Sequence, residues 1–264
     1  MAVPVVAVVN QKGGVGKTAV ALGLAAVASV RGDRACVIDL DPQANATAGL
    51  GVESEDVPLT VNDVLAVRRR GGLADVLVAS TWDGVDLAPG TLDLGNRELD
   101  GSHDMPFRLR EGLDGMDLTP YKLVLLDCPP SVGRLMLAAL VAASHVLIIT
   151  DASADGLRGI GNVQQTIDVV RAHMNPGLRV AAVLVNKRER MGEQDAREAE
   201  LREAFGDLVL QTVLPKRADA QTAHGAATPI TRWKGEGART LSILLSDVYD
   251  ELLERTRATT GSAT

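Results

Sequence analysis

The stretch Gln11-Lys12-Gly13-Gly14-Val15-Gly16-Lys17-Thr18 brings glycines, two lysines and a hydroxyl together between an apolar run, Val3 to Val9, and a helix-forming run. Gly13, Gly14 and Gly16 let a backbone turn tightly with its N–H groups aimed inward, and the following helix presents its positive end to the same point. The natural ligand of such a loop is a polyphosphate. The cradle would run from Gly13 through Val15 and Thr18 to Ala19, with the Lys17 ammonium reaching the β- and γ-phosphates and the Thr18 hydroxyl available to Mg²⁺. A glycine turn without a ligand would not explain a Lys-Thr pair at the first helical turn.

Two further aliphatic runs end in acids: Cys36 to Thr47 reads CVIDLDPQANAT, with Asp39 and Asp41, and Leu123 to Ser131 reads LVLLDCPPS, with Asp127. Strand alternation puts Asp39 and Asp41 on one side. A carboxylate closing a buried strand, as Asp127 does, is placed to hold Mg²⁺ through water.

Elements that would carry these groups follow from patterning. Short aliphatic runs alternate with amphipathic segments, which predicts an α/β fold: a doubly wound, mostly parallel central sheet with helices on both faces. Expected strands are Val3 to Val9, Ala35 to Asp39, Val85 to Ala88, Leu123 to Asp127, His145 to Thr150, Arg179 to Asn186 and Leu208 to Leu214. Expected helices are Lys17 to Val30, Val61 to Ala66, Phe107 to Asp114, Arg134 to Ala143, Gly156 to His173, Gln194 to Phe205, Asp219 to Ala226 and Gly237 to Thr256. The turn-rich region from Gly51 to Gly115 should decorate one end of the sheet. One P-loop domain over residues 1–257 is expected, with a small polar tail, 258–264, left disordered.

Composition narrows the function classes. Hydrophobic residues make up 46% of the 264 but aromatics only 2%, so the core must be aliphatic, as buried parallel strands require. A net charge of -7 offers no global attraction to a phosphate polymer, so any nucleic-acid contact needs a local basic patch. Cys36 and Cys128 fall within or beside buried strands with no CxxC pairing, which argues against zinc, redox and iron–sulfur roles. The N-terminus lacks signal-peptide patterning and no apolar run approaches a bilayer's span, so a cytoplasmic protein is expected.

Lys12 and Lys17 in KGGVGKT resemble the deviant Walker A motif of the ParA/MinD superfamily, and the likeness to its ParA family extends from Val3 to about Leu253. The resemblance implies an ATPase that converts ATP and water to ADP and phosphate, uses ATP and Mg²⁺, and forms a nucleotide-sandwich homodimer. In it Lys12 reaches across to the partner's phosphates, a cation supplied in trans. Asp39-Leu40-Asp41-Pro42-Gln43 resembles the family's DxDPQ signature, which gives Asp41 the attacking water and Asp39 a part in the metal's hydration shell. The catalytic set is then Lys12, Lys17 and Asp41, and the metal set Thr18, Asp39 and Asp127. Asn186, closing LVNKR, stands where the family places an Asn or Thr beside adenine, and Val213-Leu214-Pro215 resembles the VIP segment on the other side of the base.

The same resemblance implies slow hydrolysis stimulated by a ParB-like partner, and ATP-dependent, nonspecific DNA binding that drives plasmid or chromosome segregation on the nucleoid. Candidate DNA contacts are Arg188, Arg190, Lys216, Arg217, Arg232 and Lys234, with Lys187 beside them. This chain departs from the family phrase VIPRNVRL, carrying Asp219 at the later basic position. The same cycle could instead position a protein cargo, a microcompartment or receptor cluster. MinD-like membrane-surface action is disfavoured by Asp247, Asp250 and Glu251 in the last helix, which anionic lipid would repel.

Overall fold

The computed structural model describes residues 2–189 and 192–260, with side chains of 259–260 outside that description. Seven strands form one sheet: β1 (Val5–Val9), β2 (Ala35–Asp39), β3 (Val78–Ala79), β4 (Val85–Ala88), β5 (Leu123–Asp127), β6 (His145–Thr150) and β7 (Arg179–Val185). The α-helices are α1 (Lys17–Arg31), α2 (Asn45–Gly49), α3 (Val61–Ala66), α4 (Gly95–Glu98), α5 (Met105–Leu113), α6 (Arg134–Ala142), α7 (Ala154–His173), α8 (Gly192–Phe205), α9 (Ala218–Gly225) and α10 (Glu236–Thr260).

The strand order is β3-β4-β2-β5-β1-β6-β7, parallel throughout except for the β3·β4 pair. Period-two alternation divides the core. Val5, Ala7 and Val9 of β1, with Val124 and Leu126 of β5, face one layer that includes α5, α6 and α7. Val6, Val8, Leu123 and Leu125 face the other, built from α1 and α10. Covered on both faces, β1, β2, β5 and β6 are buried along their whole length, which is why they read as unbroken aliphatic runs. Both cysteines are buried and unpaired. No described helix is long and apolar enough to cross a membrane.

One expected strand is absent. Leu208 to Leu214 meets the sheet only through an isolated bridge, Val183 to Val209, with backbone bonds from Leu210 to Val183 and from Leu214 to Val185. The Glu251 carboxylate of α10 takes the Gln211 and Thr212 N–H groups at 2.9 and 3.0 Å. Arg255, one turn on, donates to the Asp207 and Leu208 carbonyls. Side chains from α10 thus occupy backbone groups that a ladder would need. The antiparallel β3, two residues long, is too short to show any periodicity. α10 runs on to Thr260, past the expected domain end at 257, and 261–264 lie outside the described residues.

Candidate functional site

The loop after β1 is held at both ends. Asn10, fully buried, donates through Nδ2 to the Ile149 carbonyl, and its Oδ1 accepts the Lys12 N–H at 2.8 Å. Gly14 and Gly16 adopt φ of +76° and +92°, the left-handed region where a side chain is strained. A Cβ on Gly16 would stand 2.5 Å from the Asn186 amide nitrogen, so glycine is required here on contact as well as on conformation. Asn186 Nδ2 donates to the Val15 carbonyl at 2.8 Å, and Lys187 Nζ donates to the Gly14 carbonyl. The end of β7 is therefore strapped to the loop, and Lys187, read from sequence as a basic surface contact, points into it.

Lys17 opens α1 and is only 6% exposed. Burial lowers its ammonium's pKa, while Asp127, Cys128 and Asp41 hold it up. Asp127, fully buried at the end of β5, has no well-formed hydrogen bond to either carboxylate oxygen among the described residues, with the Thr18 hydroxyl near enough only to favour its charged form. Its carboxyl is raised well above the ordinary range by burial first and by Asp39 next, with the nearby Thr18 hydroxyl and Lys17 opposing. Two bare carboxylate oxygens beside a hydroxyl and a lysine are a donor set suited to a hydrated divalent cation.

Asp39 pairs in register with Asp127 across β2 and β5. Its Oδ1 accepts from the Asp41 N–H at 3.1 Å, and its Oδ2 from the Thr47 N–H and hydroxyl at 2.8 and 2.7 Å. Burial lifts its carboxyl to about 6 against these bonds. Asp41, 8% exposed, turns the chain: its Oδ1 accepts from Gln43, its carbonyl accepts from Ala44, and Ala44 takes a left-handed φ of +51°.

Lys12 lies in the same corner but faces β6. Its Nζ sits 2.6 Å from Asp151 Oδ2 and 3.2 Å from Ser153 Oγ, with the lysine and aspartate side chains 34% and 27% exposed. Sequence reading passed over Asp151, although His145 to Asp151 is one more aliphatic run closed by an acid. Asn186 and Pro215 both line, with Gly16 and Ala19, a cavity of about 330 Å³.

Three of the candidate DNA cations carry ion pairs. Arg188 is paired with Asp195 and Glu198, Lys216 with Glu189 at 3.3 Å, and Arg232 with Asp83 at 2.8 Å. Each of these three thus has an acidic neighbour that sequence reading did not supply. Arg190 lies outside the described residues. Arg217 and Lys234 are exposed and carry no ion pair among the described residues, and the same holds for Arg239 in the first turn of α10. Asp219 turns its carboxylate toward Gly235 and Gly237, at the α10 N-terminus, where negative charge is favoured.

A parallel sheet, a glycine loop opening a buried-lysine helix, and acids at the ends of β2 and β5 define a P-loop nucleotide-binding protein. A family model described as an AAA domain matches residues 3–180. The chromosome-partitioning ATPase Soj of Thermus thermophilus is 41% identical over 216 residues, 80% of each chain. The chromosome partitioning protein ParA of Caulobacter vibrioides is 33% identical over 232 residues, covering 86% of this chain and 85% of its own. Among solved structures, cobyrinic acid a,c-diamide synthase of Mycobacterium smegmatis with bound ATP analog and magnesium is 28% identical, covers 94% of this chain and 93% of its own, and superimposes with a TM-score of 0.77. The chain belongs to the ParA/Soj family of deviant Walker A P-loop ATPases.

Proposed function

We propose that this partition ATPase is switched by MgATP between a monomer and a DNA-binding homodimer, with hydrolysis stimulated by a ParB-like partner. The carrying observation is the bare Asp127 carboxylate, buried beside Lys17 and Thr18 under the glycine loop. In this reading Gly13 to Ala19 cradle the phosphates. Thr18 and Asp127, with Asp39 supporting through its fixed position, hold the hydrated Mg²⁺. Magnesium bound there supplies charge neutralisation across the phosphates. Asp41 orients the attacking water, and Lys12 leaves Asp151 to reach the partner's phosphates. One N–H of the Asn186 amide is spent on Val15, leaving its oxygen and second N–H for the base edge, with Pro215 opposite.

The acids set a pH dependence. Asp39 has a folded value of about 6 against an ordinary value near 3.8, so its protonation favours the fold as pH falls through that window and this contribution is lost above it. A divalent cation needs these carboxylates deprotonated. Thermal melts should therefore show a larger stabilisation by Mg²⁺ and ADP at about pH 8 than at about pH 5.5; an equal or reversed shift would count against the metal assignment.

DNA binding is assigned to the cations without local partners, Arg217 and Lys234. Gel shifts on nonspecific duplex should require ATP, and equal binding with ADP or no nucleotide would defeat the reading. Arg217→Ala and Lys234→Ala should each lower the salt slope of binding by about 0.9. Arg188→Ala should leave that slope nearly unchanged, because Asp195 and Glu198 already neutralise the guanidinium.

A further inference from the structure

His224 lies on α9, far in sequence from the phosphate loop and both strand-end acids, yet it touches two parts of the site at once. Its ring helps to line the 330 Å³ cavity that Asn186 and Pro215 also line. Its Nε2 lies 2.8 Å from the Asn45 carbonyl. A carbonyl offers only lone pairs, so Nε2 carries the hydrogen and donates. The contact is close-fitted: a Cβ on Gly49 of α2 would fall 2.5 Å from the imidazole Cδ2.

Asn45 is the residue at which the Asp41 turn ends. Gln43 and Ala44 bind back to Asp41, and Ala44 is held left-handed without being glycine. Such a conformation persists only where its surroundings fix it. One side of the turn is fixed by Asp41 itself. Thr47, two residues past Asn45, binds Asp39, and the His224 bond supplies a hold from outside the segment. α9 has little hold of its own, since Ala223 is its one buried residue.

We propose that His224 is a positioning residue for ATP hydrolysis, tying the helix that walls the base cavity to the turn carrying Asp41, so that a base seated in the cavity fixes the carboxylate in its hydrolytic position. The inference rests on the reading of the cavity as the base pocket and of Asp41 as the water-orienting group. A carboxylate displaced by a fraction of an ångström costs turnover more than binding, so the signature is a split between the two.

His224→Phe keeps a ring against Gly49 and removes the donor; His224→Gln keeps an N–H donor. ATP affinity by calorimetry, turnover at saturating ATP and the melting temperature are measured for both and for His224→Ala. Turnover at saturating ATP should fall about tenfold or more in Phe and Ala, well beyond any change in their ATP affinity, and Gln should recover most of the rate. Unchanged turnover in Phe and Ala, a parallel loss of affinity and rate, or a Gln variant no better than Phe would overturn the proposal. Failure of the unmodified protein to bind ATP would overturn the pocket reading beneath it, a result distinguishable from all of these.

Discussion

A Lys17→Ala protein is expected to lose ATP hydrolysis by about a thousandfold or more and to lose measurable grip on the triphosphate. The side chain is 6% exposed and placed among Asp127, Asp41 and Cys128. Two of those neighbours are carboxylates, and Lys17 is the cation that offsets the charge of Asp127. Without the ammonium, a polyanion would be brought to a pocket whose own charge is negative, and the loop N–H groups alone would have to hold it. Phosphate release and nucleotide binding check this, with an unchanged melting temperature showing that the fold survives. Turnover close to that of the unmodified protein would remove Lys17 from the mechanism.

The second large effect concerns Lys12. Its pairing with Asp151 and Ser153 leaves both charges about a third exposed, and such pairs are worth only about 0.2–1 kcal/mol. A triphosphate offered by a second subunit can displace a contact that weak. Lys12→Ala should therefore bind MgATP as a monomer, fail to dimerise or shift DNA, and lose partner-stimulated hydrolysis by about a thousandfold, the scale of a cation supplied in trans. Asp151→Asn works in the opposite sense, releasing Lys12 and lowering the ATP concentration needed for dimerisation by about two- to fivefold. Light scattering across an ATP titration separates the two. A Lys12→Ala protein that dimerises normally would show that the lysine belongs to the Asp151 corner alone.

The parts of this site that were legible in sequence are those whose signal is local. A run of buried aliphatic residues closed by an acid marks Asp39 and Asp127 because a strand covered on both faces must be apolar until it reaches the sheet's edge. Gly14 and Gly16 announce themselves because few other residues take their backbone conformation. Most of the misses are contacts between parts of the chain far apart in sequence. Nothing near Leu208 to Leu214 says that Glu251 and Arg255 will take its backbone groups. Nothing in the pattern around Arg188 or Arg232 names Glu198 or Asp83 as a partner, so the ion pairs of these candidate DNA contacts were not foreseen. Lys12 and Asp151 are 139 positions apart, and His224 and Asn45 are 179 apart. Periodicity and motif carry no information about either pairing.

Asp219 shows the same limit from the other direction. At the position where the resemblance led to the expectation of a basic residue it looks like a charge that would repel DNA, yet its carboxylate faces the start of α10. There it sits against the helix's positive end, and Arg217, two residues earlier, stays exposed and without an acidic partner among the described residues.

Calorimetric titration of the protein with ATP, once with Mg²⁺ and once with chelator, bears most directly on the buried Asp127 carboxylate and the glycine cradle above it. Saturable uptake of about one nucleotide per chain with magnesium, weakened by about tenfold or more without it, is the expected result. No uptake, or uptake indifferent to the metal, would contradict the assignment of this corner to a magnesium-bound triphosphate.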